Sequence, residues 1–166
     1  VGFETNLKIG FRTNIDNSKS MGYIIPDISF DYQLEPTGKL VLATKLKGHL
    51  TLGDDFEFYQ AASIGASDGL RGYRNQRFTG KNSYYQLTDL RYMFSKLKTG
   101  ILPINLGVYS GVDYGRVWLK DDPSKKWHNS YGGGFLLMAA EVFTGNFSLF
   151  HSDDGLRFAF GLGLNF

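Results

Sequence analysis

From Leu156 to Phe166 every second side chain is large and apolar: Leu156, Phe158, Phe160, Leu162, Leu164 and Phe166. Arg157, Ala159, Gly161, Gly163 and Asn165 lie between them. A β-strand turns successive side chains to opposite faces. This segment therefore has one oily face and one small or polar face. A water-soluble fold must cover such an oily face with more protein, whereas a barrel in an outer membrane leaves it to lipid.

The same alternation recurs upstream. Val1, Phe3, Leu7, Ile9 and Phe11 oppose Glu4, Asn6, Lys8 and Arg12. Ile24, Pro26, Ile28, Phe30, Tyr32 and Leu34 oppose Asp27, Ser29, Asp31 and Gln33. Leu40, Leu42, Leu46, Leu50 and Leu52 oppose Lys45, Lys47, His49 and Thr51. In the strands at 1–12, 24–34, 40–52 and 156–166 every Lys, Arg, Asp and Glu takes the small and polar parity. A cation on a lipid face costs about 2–4 kcal/mol at the bilayer midplane, so this segregation has a physical cause. Each strand reaches the roughly 9–11 residues that a tilted crossing requires.

Alternation is weaker over 83–94 and clear again over 104–115. A glycine-rich stretch at 131–138 has faces that the sequence does not separate, and a strand beginning near Phe143 precedes the terminal one. That gives eight strands. Short turns at 35–38, 96–100 and 139–141 alternate with longer polar segments at 14–20, 53–82 and 120–129, and 152–155 closes the last hairpin. Antiparallel up-and-down order with short turns at one end and long loops at the other marks a membrane barrel. Residues 53–82 form a long aperiodic loop, a type that is usually functional or disordered. The chain reads as one transmembrane barrel domain over 1–166.

Composition narrows the function. The chain has 166 residues and a net charge of +2, which speaks against a dedicated nucleic-acid binder. With Cys at 0 there is no disulfide framework or thiolate metal site. Aromatics and 21 glycines favour an all-β chain rich in turns. No signal peptide precedes Val1, so an exported chain would be a mature form or a piece of one. His49, His128 and His151 lack metal-ligand spacing, and no nucleophile elbow or phosphate loop is present. His151 and Ser152 are adjacent on a strand and point apart, which disfavours a hydrolase pair. No enzymatic activity, cofactor or metal is expected. Trp118, Trp127 and the tyrosines near strand ends suit interfacial girdles.

Within the long loop stands Gly69-Leu-Arg-Gly-Tyr-Arg74, then Asn75-Gln-Arg-Phe-Thr-Gly80. Thr88-Asp-Leu-Arg91 follows on one strand and Gly111-Val-Asp-Tyr-Gly115 on another. This ordered trio, with the aromatic terminal strand, resembles the outer-membrane assembly-factor superfamily, the BamA- and TamA-like proteins of the bacterial surface antigen family. The resemblance covers most of 40–166. Val112 departs from a frequent aromatic and Asp89 from a frequent Glu, with the charge logic intact.

The resemblance implies a loop folded into the lumen. Arg71 would meet Asp113, with Asp89 as a second acceptor, while Gly72 permits close approach and Tyr73 offers an apolar body with a hydroxyl tip. It implies a bacterial outer-membrane protein that inserts or translocates proteins through a lateral seam. Phe166, Leu164, Leu162, Gly161 and Gly163 would form a terminal insertion signal and one side of that gate, with the glycines weakening or kinking it. The partners implied are outer-membrane lipid and unfolded outer-membrane protein clients. The family barrel has sixteen strands, and this chain resembles its C-terminal half, because an eight-stranded interior is only wide enough for side chains. The edges would then pair with a missing half or a second copy; alternatively, the chain closes on itself and the loop stays outside. Alternative functions are an anchor or outlet for a separate enzymatic domain, or a small structural barrel without clients.

Overall fold

The computed structural model describes residues 1–13, 20–53, 60–95, 97–98, 103–119, 125–140 and 142–164. Eight long strands form one antiparallel sheet: β1 (Gly2–Thr13), β2 (Ser20–Gln33), β3 (Leu40–Leu52), β6 (Asn82–Met93), β8 (Pro103–Trp118), β9 (His128–Ala139), β10 (Phe143–Ser152) and β11 (Gly155–Leu164). Their order in space is β1-β2-β3-β6-β8-β9-β10-β11, so each pairs with its sequence neighbours among the long strands. This is the up-and-down wall of a partial β-barrel. The long strands run from 10 to 16 residues.

The ladders assign every side chain to a wall. Leu42 pairs with Tyr32 and Leu90, Leu46 with Ile28 and Gln86, and Phe158 with Leu149. These define the outward face. The inward face carries Asp27, Asp31, Lys45, Lys47, Asp89 and Asp113, and a 3.1 Å ion pair joins Lys45 to Asp27. Outward side chains on the flanking strands are the most exposed, such as Phe158 at 73% and Phe3 at 70%. The buried apolar cluster instead lies on the inward side, where Ile64, Leu70 and Tyr73 of the long loop pack on Tyr85 of β6.

Two local readings are refined. The segment read as an aperiodic loop holds a two-stranded sheet, β4 (Ala62–Ile64) with β5 (Phe78–Gly80), and β6 already begins at Asn82. The turn expected at 96–100 includes a short strand, β7 (Leu97–Lys98), paired with Pro103 and Ile104. The β10–β11 ladder runs in unbroken register from Ser152–Gly155 to Phe143–Leu164, with Gly161 opposite Asn146 and Gly163 opposite Thr144. Phe166 lies outside the described residues.

Among the described residues no ladder joins β1 to β11. Both flanking strands instead line a cavity of about 800 Å³ at the short-turn end of the sheet. Val1 and Gly2 border it on one side and Gly161, Leu162 and Gly163 on the other, with Asp31, Arg91 and Asn146 between.

Candidate functional site

Two rows of side chains on the inward wall hold the loop. The register aligns Asp113 of β8 with Ser130 of β9, and Ser130 with Ser152 of β10. One row toward the short-turn end it aligns Asp89 of β6 with Gly111, Gly132 and Phe150. The first row takes the loop backbone. The second leaves a glycine gap that receives the Arg71 side chain.

Each acceptor and donor of the first row meets one backbone group of the turn. Arg71 donates its N–H to Asp113 Oδ2 at 2.7 Å. Gly72 donates its N–H to Ser130 Oγ at 3.2 Å, and Ser130 passes its own proton on to Asp113 Oδ2 at 2.8 Å. Ser152 Oγ donates to the Gly72 carbonyl at 2.7 Å. Three neighbouring strands thus grip two consecutive loop residues. A Cβ on Gly72 would stand 2.6 Å from the Ser130 Cβ, so only glycine lets the turn come this close.

In the gap, Arg71 Nη2 reaches Asp113 Oδ1 at 2.5 Å and Asp89 Oδ1 at 2.7 Å, while Nε lies 3.0 Å from Asp113 Oδ1. The guanidinium carbon sits 4.1 Å from the Phe150 ring centroid and 5.8 Å from that of Tyr109. A Cβ on Gly111 would lie 2.6 Å from Arg71 Nη2 and collide with the Asp89 carboxylate. Arg91 Nη2 balances Asp89 from the other side at 3.2 Å. Two cations therefore meet two carboxylates, and the cluster is neutral.

Asp113 has 0% exposure. A carboxylate removed from water survives as an anion only when its lone pairs are taken, as they are here. Burial of the Arg71 guanidinium lowers its pKa, but the hydrogen bonds from Asp113 and Asp89 outweigh that, and the net shift is upward. The planar donor fork of arginine fits this double acceptor, and a lysine would not reproduce it.

Further contacts fasten the loop at its flanks. Tyr73 is buried edge-on against Phe78, with centroids 5.0 Å apart, and burial pushes its phenol pKa up. Arg77 pairs with Asp154 in the β10–β11 turn at 2.6 Å. Asp68 receives both Lys47 Nζ at 2.8 Å and the Tyr85 hydroxyl at 2.9 Å. The structure thus brings Arg71, Gly72, Tyr73, Asp89 and Asp113 together. It places Leu162, Gly161 and Gly163 apart from them, on the flanking strand β11.

Residues 10–137, most of the chain, match the family described as haemolysin secretion/activation protein ShlB/FhaC/HecB. The chain belongs to this family. No curated protein and no solved structure matches it. A ShlB/FhaC/HecB barrel is an outer-membrane barrel for protein secretion, and its family members are transporters rather than enzymes. The match supports the assembly and translocation superfamily that the loop motif resembles, and gives BamA or TamA membership no specific support.

In this ShlB/FhaC/HecB-family wall, sequence reasoning missed Ser130, Ser152, Phe150 and Gly132. Two small hydroxyl residues and a glycine carry no motif of their own. Their relevance comes only from register, which puts them beside Asp113 and Gly111. An inward-parity serine next to a glycine run is the one signal available, and the indistinct faces of 131–138 hid it.

Proposed function

We propose that residues 1–166 form the loop-bearing transmembrane domain of a secretion barrel whose client polypeptide engages a seam bordered by β1 and β11. The observation that carries this reading is the pair of strand edges. Neither β1 nor β11 has an outer partner among the described residues, and both line one cavity. Unpaired strand edges are not tolerated in hydrocarbon, and they pair readily with an incoming extended segment. The strands between them are fully laddered and braced by the loop, so opening would concentrate at the seam. Membership of a secretion family favours passage of an exported polypeptide over insertion of another barrel.

In this reading Arg71, Asp89 and Asp113 keep the loop against the wall while the seam moves. Leu162, Gly161, Gly163 and Leu164 belong to the moving side. Phe166 serves as the terminal insertion signal, and its deletion should lower the yield of inserted barrel; an unchanged yield argues against that role. The seam edges meet a second barrel half or a second copy when no client is present.

The chain has 0 cysteines, so single-cysteine crosslinking is clean. Leu162→Cys on β11 and Phe3→Cys on β1 should capture an exported client in proteoliposomes. Leu46→Cys on the laddered β3 should not. Equal capture at all three positions contradicts a seam. No capture at any position, with conductance intact, favours a client-free pore or an anchor barrel.

A further inference from the structure

We infer that the cavity at the short-turn end receives an extended client segment in which an aliphatic side chain stands next to a lysine or arginine. The inference rests on the secretion-barrel reading and names the chemistry that the seam cavity admits. Short turns mark the periplasmic end of such a barrel, so this is where an exported chain enters.

The register builds an apolar floor where a wet wall is expected. Met93 of β6, Gly107 of β8, Leu136 of β9, Asn146 of β10 and Gly161 of β11 follow one another in a single inward row. Met138 lies one row nearer the turns, aligned with Thr144, which is aligned with Gly163. Met93 lies across Gly107, where a Cβ would stand 2.5 Å from its sulfur. Val41 of β3 adds to the lining. Val41, Met93, Leu136 and Met138 are only half-buried. The apolar cluster at Tyr85 is covered by the long loop, whereas no residue of that loop lines this cavity. Apolar side chains left open on a lumen wall mark a contact surface.

The chemistry selects the occupant. Methionine is unbranched and polarizable, so a floor with Met93 and Met138 adapts to aliphatic side chains of different shape. The volume of about 800 Å³ lies within the roughly 300–1,000 Å³ of ligand pockets. Asp31 of β2 borders the same cavity and is exposed. Arg91 is held by Asp89 at 3.2 Å, and Asp31 has no ion pair among the described residues. The charge offered to an occupant is therefore a carboxylate, which attracts a cationic residue and repels an anionic lipid headgroup. An extended chain turns neighbouring side chains to opposite sides. One residue then meets the floor of β6 and β9 while its neighbour turns toward Asp31. Gly161 and Gly163 keep the β11 side open for the backbone of that chain.

The test uses the intact chain in phosphatidylcholine proteoliposomes. The probe is a Gly-Ser peptide with a central photo-leucine followed by lysine, compared with the same peptide carrying glutamate instead. Illumination should label Met93, Leu136 or Met138 saturably, with half-saturation about fivefold lower for the lysine peptide. Asp31→Asn should remove that preference and keep the labelling. Leu136→Ser should weaken the lysine peptide by about tenfold, the loss expected for one buried aliphatic contact. Equal labelling by both peptides in the wild type, labelling outside the cavity, or unchanged affinity in Leu136→Ser overturns the inference. The capture experiment at Leu162→Cys and Phe3→Cys separates the two failures. Client capture that persists there without cavity labelling overturns this inference alone. Loss of both overturns the seam reading with it.

Discussion

The wall from β6 to β10 and the flanking strands β1 and β11 are built from the same alternating pattern, yet they are held in opposite ways. In the wall each strand has two partners, and its inward side chains grip the loop through Asp89, Asp113, Ser130 and Ser152. Among the described residues the flanking strands have one partner each, and their outward rows are the most exposed of the sheet. The alternating pattern sets which way a side chain faces. The inward partners decide whether the strand is fixed. One sheet therefore combines a sector that grips the loop with two flanking strands that lack an outer partner among the described residues.

The largest way to break this contrast is Arg71→Ala. It leaves Asp113 buried without its cation, a loss of about 3–5 kcal/mol for a buried pair. Protease cleavage within 65–80 should rise sharply while the strands stay folded, and unchanged cleavage would count against the brace. Next comes the lipid face of the edge. Phe160→Arg should cost about 2–4 kcal/mol if β11 meets hydrocarbon near its middle. Ala159→Arg, on the opposite parity, should insert normally; a reversed ranking in insertion yield contradicts the assigned faces.

Gly111→Val tests the gap itself. Its added atoms would occupy the space of Arg71 and Asp89, at about 1–3 kcal/mol for overpacking. The loop should become cleavable as in Arg71→Ala, with the ion pair residues intact. Ser130→Ala removes the hydroxyl that links the Gly72 N–H to the buried Asp113 carboxylate and should cost about 1–3 kcal/mol in denaturant stability.

The smallest effect belongs to the exposed Arg77–Asp154 pair. The hydrogen bond from Arg77 holds the Asp154 carboxyl below its ordinary 3.8. A depressed carboxylate contributes stability above its unfolded value and loses it as pH falls through the folded one. Cleavage near Arg77 should therefore rise below about pH 4 in the wild type, whereas Arg77→Ala should show no such step.

Sequence parity was enough for β1, β2, β3 and β11, because lipid lies on one side and a wet, charged wall on the other. It was insufficient for β6 and β9. In β6 the inward Tyr85 and Leu87 are apolar because the loop packs on them. The outward Gln86 and Thr88 are polar but satisfy each other at 3.2 Å, with Thr44 a further 3.5 Å away. Both departures blur the alternation. In β9 the glycines Gly132, Gly133 and Gly134 erase it. The loop motif identified Arg71, Asp89 and Asp113, but the serine grip arises from the register of three strands, which a single sequence does not state.

Two loop amides report most directly on whether the wall holds the loop. Arg71 and Gly72 donate to Asp113 and Ser130, so their hydrogen exchange in the bilayer-inserted protein should be as slow as that of the β9 ladder. Exchange of those two amides at the rate of an open surface loop would contradict it.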